Sequence, residues 1–269
     1  GQYQSEYLKR VAALADILGP DLVLNSNAVS AAHASGALVD LHVPYAITFG
    51  NHQIHGHEYW YGNPVGSIDF GDALAVLNFG HYWHDDPSQA YALLEQRRRT
   101  RLKVINAVEP NAPVASLLDE YNIAFIHDAH GPGDRVALMG NTPTQRAGKM
   151  NSESFRLIRF AQGRVVSATY GGDPQAPFPF GRSAPLPVRI EFDGPNDGTR
   201  TELTASVHND FVDALPNSRV VFILRAGTVD VQGGRLESAI DSDDGACTVI
   251  TVRCDLPASG TAKVAVRLP

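Results

Sequence analysis

Apolar residues recur at helical spacing near the start of this chain. Tyr7, Leu8, Val11, Leu14, Ala15 and Leu18 fall on one face, which predicts an amphipathic helix over Gln4–Leu18. Gly19-Pro20 stops it. A short apolar strand, Asp21–Leu24, is followed by an Ala-rich helix, Ala28–Leu38, and by a strand at Tyr45–Phe49. A polar and aromatic loop, Asn51–Pro64, leads into strands Gly66–Phe70 and Ala73–Phe79, joined at Gly71-Asp72. Asp86-Pro87-Ser88 opens a helix running to about Arg99, with the proline near its first turn. Strand Leu102–Ile105, helix Ala112–Tyr121 and strands Ile123–Ile126 and Val136–Met139 follow. Phe155–Phe160 and Arg164–Tyr170 read as a hairpin. Alternating strands and helices predict an α/β fold with a largely parallel sheet.

The periodicity then changes. Eight glycines and prolines crowd the stretch from Gly171 to Pro187, which marks a linker. Beyond it the helical spacing disappears. Val188–Phe192, Glu202–His208, Val220–Arg225, Thr248–Val252 and Lys263–Leu268 read as strands between turn clusters such as Pro195-Asn-Asp-Gly198 and Gly233-Gly234. About seven short strands in such a length is the pattern of a small β-sandwich, Ig-like in the loose sense. The expected organisation is an α/β domain over residues 1–172, a linker over 173–187 and an all-β Ig-like sandwich over 188–269.

Composition narrows the function. A net charge of −7 argues against general nucleic-acid binding. No apolar run approaches the ~18 residues that span a bilayer. No leader peptide is visible, and the chain starts at Gly1 without a methionine, as a processed chain would. The two cysteines, Cys247 and Cys254, flank one predicted strand. Seven residues of strand separate them by roughly 23 Å, too far for a disulfide, so two free thiols are expected.

Candidate chemistry begins where Tyr45–Phe49 ends in Gly50. Asn51 and His52 follow at once; both can ligate a metal, and histidine can move a proton. Loops at strand C-termini are where open α/β sheets gather ligands. Gly50-Asn51-His52 closely resembles the G-N-H-[DE] motif of calcineurin-like metallophosphoesterases, with Gln53 in place of the usual acid. The order of elements over about residues 5–170 is similar to that family as well, which implies a metallophosphoesterase-like αββα sandwich.

The resemblance also implies two metals about 3.5–4 Å apart that clamp a phosphoryl group and activate a hydroxide. That chemistry takes a bridging carboxylate, several His and Asp ligands, an Asn and a His acid. This sequence departs from the pattern at most of them. The initial Asp-x-His strand is absent. The Gly-Asp position reads Asn27-Ala28, and the middle His position reads Asn106 or Ala107. The Gly-His-x-His position reads His127-Asp128-Ala129-His130, so His130 matches and Asp128 is a substitute at best. Asn51, Asp128 and His130 are therefore the expected vestigial metal residues, with His52 catalytic only if the site is active.

Other groupings offer different chemistry. His55 and His57 in one loop and His81 and His84 in another could form a replacement zinc site, although their spacing matches no standard pattern. Tyr59, Trp60 and Tyr61 could stack on a sugar or base, or simply pack their own loop. Arg97, Arg98, Arg99, Arg101 and Lys103 form a basic run, either a patch for an anionic partner or a solvated helix end that suits the helix dipole.

The expected function is a non-catalytic, metallophosphoesterase-like binding or structural protein. It would act in a secreted, cell-surface or virion-type assembly, with a protein partner or copies of itself. No cofactor is expected unless the site works, in which case a divalent metal such as Mn, Fe, Zn or Ca would be needed. One alternative is a metal-dependent phosphoesterase completed by residues outside this chain. Another is a carbohydrate-binding surface protein.

Overall fold

The structure is a computed structural model of the chain. It describes residues 2–20, 22–25, 44–47, 65–80, 87–107, 120–128, 135–139, 142–146, 154–155, 157–161, 164–168, 178–179 and 185–269. The chain divides into two compact units. One comprises Gly1–Lys9, Leu22–Thr169 and Asp173–Arg182; the other comprises Arg10–Asp21, Tyr170–Gly172 and Ser183–Pro269.

In chain order the elements begin with helix α1 (Gln2–Leu18) and strands β1 (Val23–Asn25), β2 (Tyr45–Ile47), β3 (Gly66–Phe70) and β4 (Leu74–Gly80). Helix α2 (Pro87–Gln96) precedes β5 (Leu102–Ala107), β6 (Ile123–Asp128), β7 (Arg135–Met139) and β8 (Thr142–Arg146). The short strands β9 (Ser154–Phe155), β10 (Leu157–Ala161), β11 (Arg164–Ala168) and β12 (Phe178–Pro179) complete the first unit. The second holds β13 (Val188–Phe192), β14 (Glu202–Asn209), β15 (Leu215–Arg225), β16 (Asp230–Gln232), β17 (Arg235–Asp241), β18 (Cys247–Leu256) and β19 (Gly260–Arg267).

The centre of the first unit is a mixed sheet in the order β3-β4-β5-β6-β8-β7. Strands β4, β5, β6 and β8 are parallel, and the two outer pairs are antiparallel. All six residues of β5 are buried, as expected of a central strand covered on both faces. On one face Leu77, Phe79, Ile105 and Ile126 pack with Ala90 and Leu94 of α2 and with Tyr121. On the other, Val76, Val104 and Phe125 form a row with Ile68, Leu74 and Leu22 packed against it.

The expected helix-rich αββα sandwich with a largely parallel sheet is overturned. Among the described residues there are two helices and nineteen strands. Among the described residues antiparallel strand pairs outnumber parallel ones nine to four over the chain, and within the first unit they are equal at four each. The cause is the length of the connections. A parallel crossover needs a dozen or more residues, whereas a hairpin needs about two. The link from β3 to β4 is a tight turn with Gly71 at φ +58°, and β10 and β11 are separated by two residues. The expected helices Ala28–Leu38 and Ala112–Tyr121 lie, but for Glu120 and Tyr121, outside the described residues.

The second unit has two antiparallel sheets, β13-β14-β19-β16 and β15-β18-β17. Alternation is strict in β14 and β18 and in β15 from Ser218 onward, past a bulge between Leu215 and Ser218, so one face of each strand is buried. Phe192 of the first sheet meets Phe222 of the second edge to face, with ring centroids 5.5 Å apart. The immunoglobulin order would place the fifth strand beside the second and the seventh beside the sixth. Here those two exchange places: β19 lies between β14 and β16, and β17 pairs with β18. The Ig-like assignment is corrected accordingly. Cys247 and Cys254 both lie on β18 and are free.

The end of α1 belongs to this second unit. Gly19, at φ +55°, closes the helix by donating its N–H to the Ala15 carbonyl at 2.8 Å, the left-handed cap that favours glycine. Arg253 donates to the Gly19 carbonyl at 3.0 Å and to Glu237 at 2.7 Å. The Arg253 hydrogen bond, more than the nearby positive charges, holds the Glu237 carboxyl below its ordinary range. A depressed acid stabilises the fold fully above its unfolded value of 4.5 and loses that contribution as pH falls through the folded value. Glu237→Gln should therefore flatten the loss of stability between neutral pH and about pH 3, read as urea midpoints at each pH. An unchanged acid slope would remove Glu237 from the account.

Candidate functional site

Parallel strands β4, β5, β6 and β8 all end on the same side of the sheet, where ligands collect in such folds. The row Val76–Val104–Phe125 runs across that sheet face. Two residues further along each strand the register aligns Asn78, Asn106 and His127, and Gln145 of β8 comes next. An apolar row thus gives way to a polar row on one face, at the strand ends.

Asn106 is fully buried and His127 is 8% exposed. Asn106 Nδ2 donates to Asn78 Oδ1 at 3.1 Å. Asn106 Oδ1 is buried with no partner among the described residues. A buried acceptor left unsatisfied costs about 1–3 kcal/mol, and native structures hold few of them. An unpartnered acceptor at the ligand end of parallel strands marks a place of recognition more than one of packing.

The register places Asp128 between Ala107 and Arg146, one step beyond the polar row. Its backbone is described; its side chain is not. Asn51, His52, His130, the cluster of His55, His57, His81 and His84, and the loop residues Tyr59, Trp60 and Tyr61 all lie outside the described residues. The sequence does not single out Asn78 and His127 as site residues. The available signal is an asparagine breaking an otherwise apolar strand in Leu-Ala-Val-Leu-Asn78 and again in Leu-Lys-Val-Ile-Asn106.

A pair of divalent cations needs a bridging carboxylate. The described side chains of the row offer two neutral amides and one imidazole, and Ala107 offers nothing. This donor set does not fit a two-metal centre. Among the described residues no group of three His, Cys, Asp or Glu side chains could hold a metal.

Most of the basic run is committed within the fold. Arg97 pairs with Asp69 at 2.8 Å and also donates to Ser67; its hydrogen bond is the main reason the Asp69 carboxyl lies below its ordinary value. Arg98 pairs with Glu95 and Glu120, each at 2.7 Å, and lies 4.7 Å over the Tyr121 ring. Hydrogen bonds from Arg98 and then Tyr121 bring the Glu95 carboxyl down to about 2. Lys103 is fully buried and donates to the Thr100 and Arg98 carbonyls at 2.8 and 3.4 Å. Its ammonium is lowered by burial first and by the Arg98 charge second. A buried lysine on carbonyls just past α2 serves the helix end; Arg99 and Arg101 stay exposed.

No family model and no curated protein matches the chain. Several solved structures are similar to part of it. TT1561 of Thermus thermophilus is 13% identical, with a TM-score of 0.44 over 61% of this chain and 92% of that one. GAP50, the anchor in the inner membrane complex of Plasmodium, is 11% identical, with a TM-score of 0.40 over 58% of this chain and 70% of that one. Protein TM1076 of Thermotoga maritima is 10% identical, with a TM-score of 0.35 over 58% of this chain and 83% of that one. Likeness of this degree carries neither activity nor partner to this chain. Among the described residues no helix is long and apolar enough to cross a membrane.

Proposed function

We propose that this chain is a binding or structural protein and does not carry out two-metal phosphoester hydrolysis. One observation carries the reading: the buried Asn106 amide, whose Nδ2 donates to the half-buried Asn78 Oδ1, at the end of β5. The metallophosphoesterase resemblance asks for an imidazole ligand at that position. A neutral amide locked to a second amide binds a divalent cation weakly and cannot balance its charge. It is well suited to hold a neutral polar group by hydrogen bonds, and the unpartnered Asn106 Oδ1 accepts from a donor. Asp128 and His130, if they reach the same strand ends, would orient a ligand there, and a secreted or surface-assembly role is consistent with that use.

Elemental analysis of the purified chain, with a phosphodiester assay in Mn²⁺ on the same sample, tests this. The expected result is no stoichiometric metal and turnover no greater than that of His52→Ala. Two metals per chain, with turnover abolished by His52→Ala, would reverse the reading and mean that carboxylates from elsewhere complete the site.

A further inference from the structure

We draw no further inference here: the strongest candidate, the cluster of Asn78, Asn106 and His127 side chains at the ends of the parallel strands, belongs to the site already described.

Discussion

Phe222→Ala is expected to destabilise the second unit by about 3–5 kcal/mol. Phe222 is fully buried on β15, and its ring meets Phe192 of the other sheet edge to face at an interplanar angle of 79°. The side chain thus fills the space between two sheets whose backbones are fixed by their own ladders. Neither sheet can collapse into the void, so the cavity adds to the lost transfer energy. Whole domains are stable by only about 5–15 kcal/mol, which makes this loss a large share of the total. Phe222→Leu keeps most of the volume and should cost less than about 1.5 kcal/mol. Neither tryptophan nor tyrosine occurs beyond residue 182, so the measurement is urea unfolding followed by far-UV circular dichroism or by hydrogen exchange of β15 and β18. A cost below about 1 kcal/mol for Phe222→Ala would mean that the two sheets do not pack through this residue.

How much of this is legible in the sequence varies with the physics that fixes each element. Helix α1 is readable because its apolar face repeats at helical spacing and Gly19 stops it; the structure shows Gln2–Leu18 against an expected start at Gln4. Strand β5 is recognisable as far as Ile105 but extends to Ala107. An asparagine reads as a strand terminator, whereas Asn106 continues the strand and is buried by it. Strand β17 escapes the pattern entirely. Its sequence, Arg-Leu-Glu-Ser-Ala-Ile-Asp, loses the alternation of a strand because the bulge at Glu237 shifts the phase of the side chains. The pairing order of the second unit is beyond the reach of any periodicity, which reports which residues face inward and not which strand lies beside which. The fold class fails for a related reason: alternation of strand and helix over the first fifty residues does not extend to a chain whose later connections are hairpins. At the candidate site, Asn106 stands out in the sequence for a missing imidazole, and its pairing with Asn78 becomes visible only through the register of β4 on β5. The Gly50-Asn51-His52 segment, which organises the functional reading of the sequence, lies outside the described residues.

Gly233→Ala should cost at least about 3 kcal/mol, for two separable reasons. Gly233 sits at φ +76°, where any side chain costs about 1–2 kcal/mol. Its Cβ would also stand 2.1 Å from the Lys263 carbonyl oxygen. That oxygen cannot easily retreat, because Lys263 pairs with Ser206 in the ladder between β14 and β19. Gly245→Ala isolates the first cost: Gly245 is at φ +67°, with open space where the Cβ would go. The two substitutions share the backbone penalty, so the difference between their urea midpoints measures the close approach. Equal losses would remove the clash from the explanation. Gly233 and Gly234 carry the chain from β16 in one sheet to β17 in the other, and a Cβ at Gly234 would meet Val252 and the Arg253 carbonyl, so the two glycines together fix where β17 begins.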